Sequence, residues 1–162
     1  MRVFIGTDHA GLEFKEHLKA ALAEAGYEPV DCGAFEYDAQ DDYPPFCFEV
    51  GERTVTEPGS LGVVIGGSGN GEQIAANKVR GVRAVLAWSL ETARLGRQHN
   101  NANVVSVGAR MHSTGEAISF VEAFLAEPFS NDPRHERRIG MVSDYERDRH
   151  RPAGGLPTHS EL

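Results

Sequence analysis

Short apolar runs rich in β-branched residues alternate along the chain with longer stretches whose apolar positions recur every three or four residues. The runs Arg2–Gly6, Glu28–Cys32, Leu61–Ile65, Val82–Trp88 and Asn103–Gly108 predict five strands. Between them, Leu12, Leu18 and Leu22 form a helical stripe within Ala10–Ala25, closed by Gly26, and Pro44-Pro45 opens a helix running to Thr56. Further helices are expected over 72–78, from Ser89 to about Gln98, from Ser113 or Thr114 to about Glu127, and over 134–149. A polar stretch spans Gly33–Asp42, and Glu57–Ser60 reads as a turn.

Strands that alternate with helices predict a parallel, doubly wound sheet. The expected fold is therefore α/β: a Rossmann-like three-layer α/β/α sandwich with a five-stranded parallel sheet and a C-terminal helical arm. Residues 1–150 are expected to form one domain, with a disordered, Pro/Gly/Ser-rich tail over 151–162. Ligands of such sheets bind at the carboxyl ends of the strands. The positions to search for chemistry are then Asp8 and His9, Gly66–Glu72, and Gly108–Arg110.

Composition narrows the partners. The 162 residues carry 16 Lys plus Arg against 24 Asp plus Glu, a net charge of −8, which disfavours nucleic acid and anionic membranes. Thirteen of the 16 basic residues are Arg, and six of these follow residue 133. Acidic residues are interleaved with them, so forked recognition of a phosphate or carboxylate suits the segment better than a nucleic-acid patch does. Cys32 and Cys47 make neither a disulfide framework nor a zinc spacing. No apolar run is long enough to span a bilayer, and the cytoplasm is the expected location.

The loop Gly66-Gly-Ser-Gly-Asn-Gly71 fails both the dinucleotide and the Walker patterns. Gly-rich turns from strand to helix nevertheless aim backbone N–H groups into a concavity, which suits a phosphate or a developing oxyanion. Glu72 follows in the first helical turn, either as a carboxylate favoured by the helix dipole or as a general base beside the anion cradle. Asp8-His9 and His99-Asn100-Asn101 form the other polar clusters. No metal-ligand spacing accompanies the histidines, so neither a metal nor a cofactor is expected. Arg110, and Arg134 with Arg138 one helical turn apart, are candidate phosphate ligands.

Five segments in order, Gly6–Gly11, Gly66–Lys78, Arg97–Asn100, Gly108–Arg110 and Arg134–Arg138, resemble the type B ribose-5-phosphate isomerases. That family also includes the galactose-6-phosphate isomerase subunits. The resemblance implies metal-independent interconversion of D-ribose 5-phosphate and D-ribulose 5-phosphate. In one branch of the family a Cys just before the Gly loop is the base; here Gly66 stands there, and the sequence matches the branch with Glu at the loop's end, Glu72.

Roles implied by the resemblance follow residue by residue. Glu72 takes the C2 proton and returns it to C1 through a cis-enediol(ate). His99 assists ring opening, with Asn100 holding an adjacent oxygen, and Ser68 relays a proton between O1 and O2. Amides across Gly67, Ser68, Gly69, Asn70 and Gly71 stabilise the enediolate, and Asp8 and His9 meet sugar hydroxyls. Arg110, Arg134 and Arg138 hold the phosphate. A homodimer, or a dimer of dimers, with sites at the subunit interface is also implied. The alternatives are an isomerase of a six-carbon sugar phosphate, such as allose or galactose 6-phosphate, and a non-catalytic phosphometabolite-binding module.

Overall fold

The computed structural model describes residues 1–151; the expected disordered tail lies outside them apart from Arg151. The chain forms two compact units, Met1–Ser130 and the segment from Asn131 onward. In the first, β1 (Arg2–Thr7), β2 (Glu28–Asp31), β3 (Leu61–Gly66), β4 (Ala84–Leu86) and β5 (Val104–Gly108) build one sheet in the order β2-β1-β3-β5-β4. Every pairing is parallel, with Thr7 opposite Ile65 and Ile65 opposite Val107 at the functional end.

The helices are α1 (Leu12–Glu24), α2 (Pro44–Thr56), α3 (Asn70–Ala76), α4 (Leu90–Asn100) and α5 (Thr114–Ala126). Alternation along the strands assigns them to two layers. Val3, Ile5, Val63, Ile65, Val105 and Val107 point one way, into a core with Phe14, Leu18 and Leu22 of α1, Ala93 of α4, and Phe120, Val121 and Phe124 of α5. Phe4, Val64 and Val104 point the other way, toward Cys47 and Val50 of α2 and Ala75 and Ala76 of α3. Burial of each large side chain contributes about 1.5–3 kcal/mol. Covered on both faces, β3 is buried along its whole length. The expected three-layer α/β/α sandwich is the observed one.

Two expected boundaries are corrected. The fourth strand is Ala84–Leu86, shorter than Val82–Trp88, because Trp88 donates its amide to Thr92 Oγ1 and Ser89 opens a capping box with Thr92. Those bonds turn the chain out of the sheet. Secondly, α4 extends through Asn100, so His99 and Asn100 lie in its last turn and not beyond it. In the second unit, α6 (Pro133–Asp148) is capped by Asp132, whose side chain accepts the Arg134 amide. Among the described residues no helix is long and apolar enough to cross a membrane.

Candidate active site

Chain order reverses at β1, which has β2 on one side and β3 on the other, so a crevice opens at the carboxyl ends of β1 and β3. Thr7 fixes the two edges: its hydroxyl donates to Ile65 O at 2.9 Å. Asp8 and Gly66 are therefore neighbours across the crevice. Asp8 is buried and its carboxylate caps the short 3-10 turn His9–Gly11, accepting the Ala10 amide at 2.9 Å.

The Gly loop follows β3. Gly69 caps α3 at φ 83°, a left-handed conformation, and a side chain there would also meet Leu86 and the Val107 backbone. Ser106, a fully buried hydroxyl in an otherwise apolar strand, donates to Gly69 O at 2.7 Å. The Ala109 and Arg110 amides donate to Gly66 O and Gly67 O at 2.8 and 3.1 Å, tying the loop to the end of β5. These bonds hold the loop carbonyls back toward the sheet. Peptide planarity then turns the following N–H groups the opposite way.

Glu72, third residue of α3, is buried to 5% exposure. A β-carbon on Gly66 would fall inside its carboxylate, so glycine at 66 is what admits this acid. Burial pushes the Glu72 carboxyl above its ordinary range, and the negative charge of Asp8 adds to this. The amides of Glu72 and Gly69 oppose it. A carboxylate with raised proton affinity, beside a cradle of amides, can accept a proton from a carbon acid while the amides receive the displaced charge. A Cys base at 66 and this Glu72 conformation would contend for one volume.

His9 lies 2.6 Å through Nδ1 from Asp41 Oδ1, and its amide donates to the same oxygen at 3.1 Å. Tyr37 approaches the imidazole edge-on, with centroids 6.1 Å apart. Asp8, His9 and Asp41 have donor atoms within 4.8 Å of one another, the only such cluster among the described residues that could hold a metal ion. Within it, His9 Nδ1 contacts Asp41 Oδ1, and Asp8 Oδ1 accepts the Ala10 amide. Tyr43 seats its phenol end on Gly71.

Ser68 and Asn70 are exposed at the loop's crest, where the Asn70 side-chain amide donates to Ser68 Oγ at 3.3 Å. The Arg110 side chain lies along Gly67, about 3.6 Å from where a β-carbon would stand. Asp8, His9, Gly67–Gly71, Glu72 and Arg110 are thus assembled at one end of the sheet.

His99 and Asn100 are not brought to that end. The α4 helix starts at the carboxyl end of β4 and runs 11 residues, about 16 Å, back to the amino end of β5. There Asn100 O accepts Arg83 Nε at 3.0 Å, and Arg83 immediately precedes β4. Arg134 and Arg138 are exposed on α6 in the second unit, where Arg134 pairs with Asp132 at 3.2 Å.

Sequence alone points to the loop Asp38–Tyr43 as shaping the pocket but gives no individual role to Asp41, Tyr43 or Ser106. The first two sit in or beside a polar stretch without periodicity. Only Ser106 left a mark, as the one polar residue in Val104–Gly108.

The family model described as Ribose/Galactose Isomerase matches residues 3–142. Ribose-5-phosphate isomerase B of Mycolicibacterium paratuberculosis is 57% identical over 152 residues, covering 94% of this chain and 96% of that protein. The Mycobacterium tuberculosis protein of the same name is 55% identical, with 94% of each covered. Among solved structures, ribose-5-phosphate isomerase B from Mycoplasma genitalium with bound ribulose-5-phosphate superposes with a TM-score of 0.87 at 40% identity, covering 91% of this chain and 97% of that one. The Trypanosoma cruzi type B enzyme gives 0.85 at 41%, covering 90% and 95%.

Proposed function

The chain belongs to the ribose/galactose isomerase family, and we propose that it interconverts D-ribose 5-phosphate and D-ribulose 5-phosphate by proton transfer through a cis-enediol(ate). The observation that carries this reading is the buried Glu72 carboxylate, admitted by Gly66 and lodged beside the Gly-loop amides. Relatives at 55–57% identity are named ribose-5-phosphate isomerase B, which favours the five-carbon substrate over six-carbon phosphates. The family match crosses both compact units, in keeping with residues 1–150 acting as one isomerase domain.

In this mechanism Glu72 removes the C2 proton of the open aldose and delivers it to C1. Amides across Gly67–Gly71 hold the enediolate oxygens, and Ser68, exposed at the crest, relays the proton between O1 and O2. Asp8 and His9 hold hydroxyls. Arg110, Arg134 and Arg138 bind the phosphate, whose binding energy orients the reacting carbons. No metal or cofactor enters any step.

His99 and Asn100 complete the site from a second copy. A helix-length separation from Glu72 within one chain supports a homodimer in which each site draws on both subunits. Exposed Met141, Val142 and Tyr145 give α6 an apolar surface for such an arm. A net charge of −8 supports action apart from nucleic acid and anionic membrane. The cytoplasm suits two free, buried cysteines.

The test is isomerisation of ribose 5-phosphate in a chelator, beside allose and galactose 6-phosphates at equal concentration. Turnover of the pentose phosphate, undiminished by the chelator, is expected. Preference for a hexose phosphate, or loss of activity restored by added metal, would overturn the reading.

A further inference from the structure

Asp41 has no role in the chemistry above, yet both hydrogen bonds it receives come from a single residue of the site. Its Oδ1 takes the His9 amide at 3.1 Å and stands 2.6 Å from His9 Nδ1. A carboxylate only accepts, so the second contact places a proton on Nδ1. The other ring nitrogen, Nε2, lies across the ring from that contact.

The second Asp41 oxygen, Oδ2, is buried without a partner. The other oxygen, Oδ1, serves His9 twice. Tyr37 closes a further side of the ring. The His9 side chain keeps 24% of its surface exposed.

We propose that Asp41 is a positioning residue: it holds a proton on His9 Nδ1 and fixes the ring, so that Nε2 is the nitrogen offered to substrate. The same tautomer logic governs carboxylate–histidine pairs in other enzymes, where the acid fixes which nitrogen faces the reaction. The proposal rests on the sugar-phosphate reading of the site, but half of its test does not.

That half is the protonation pattern of the His9 ring, read by long-range 1H–15N correlation on the intact, 15N-labelled protein and assigned with His9→Gln. Spectra are taken above the pH at which the ring gives up its second proton. The wild-type ring is expected as Nδ1–H, and Asp41→Ala shifts it toward Nε2–H. A wild-type ring found as Nε2–H overturns the proposal, and this result needs no variant beyond the assignment control.

The other half is kinetic. Asp41→Ala lowers kcat/KM for ribose 5-phosphate about 10–100-fold, and Asp41→Asn, which keeps an acceptor oxygen, recovers most of that. In a His9→Ala background Asp41→Ala costs nothing further, because its effect passes through the imidazole. An equal loss in both backgrounds would make Asp41 structural and overturn the proposal. Were no variant, nor the wild type, to turn over this substrate, the functional reading would fall while the tautomer still decided the role of Asp41.

Discussion

The two ends of the sheet are built on opposite principles. At the carboxyl end, two buried carboxylates, Glu72 and Asp8, face each other electrostatically, and loop amides are turned outward by bonds that hold their carbonyls inward. At the amino end, charged groups are used up on the chain's own carbonyls. Arg97 donates to Asn101 Oδ1, Ala102 O and Glu127 O at 2.9, 2.6 and 3.3 Å. Arg83 donates to Asn100 O and Asn101 O, and its amide goes to Asn103 Oδ1. One end is prepared for a reacting charge, and the other is closed upon itself. His99 and Asn100 ride on the closed end, which in the proposed homodimer would present them to the other subunit's crevice.

The sharpest break of that comparison is a mixing experiment. Glu72→Gln and His99→Ala each abolish most turnover alone, by about 10³-fold and 10²-fold or more, respectively. Mixed after reversible dissociation, half of the dimers are hybrids, each with one intact site of two, and activity returns to about a quarter of wild type. No recovery would put both residues in one chain's site. Next in size is Gly66→Ala. Its added methyl displaces the Glu72 carboxylate, and kcat falls about 10²-fold with KM for ribose 5-phosphate held within a few-fold; a normal kcat would show that the acid acts from elsewhere.

The closed end should respond in stability instead of rate. Arg97→Met strips donors from partly buried carbonyls and lowers unfolding free energy by about 2 kcal/mol. Urea midpoints at unchanged slope measure it, with kcat kept within a few-fold. The smallest effect is a shift of pH profile. Glu72 must be ionised to accept a proton, so kcat/KM falls as pH drops through its pKa, which lies above the ordinary 4.5. Burial is the main cause of that rise and the charge of Asp8 adds to it, so Asp8→Asn moves the acid limb to lower pH; an unmoved limb would mean that Asp8 does not act on the group that sets it.

Much of this was legible in the sequence where local rules decide. Pro44-Pro45 fixed the start of α2, and Ser113 with Glu116 capped α5 as capping boxes do. The apolar runs gave all five strands, and the Gly loop and Glu72 stood out by composition. Long-range pairing was not legible. Lys15 reads as one more polar position on α1, yet it is fully buried, donating to Asp31 at 2.6 Å and to Ala34 O at 2.5 Å. Burial alone would raise the Asp31 carboxyl, but Lys15, Lys19 and the Gly33 amide hold it below its ordinary range. Asp41 meets His9 across 32 residues, and no periodicity marks such a contact. His99 was picked out as chemistry, but its place at the far end of the sheet follows only from the direction of α4.

The central claim is that the Glu72 carboxylate moves the proton between C2 and C1. It is tested most directly by following ribose 5-phosphate in deuterated water with wild type and Glu72→Gln, reading deuterium at C2 of the aldose and C1 of the ketose. Wild type is expected to handle that hydrogen during turnover, while Glu72→Gln binds the sugar phosphate with near-normal affinity and neither labels nor converts it. Labelling and conversion by Glu72→Gln at rates near wild type would contradict it.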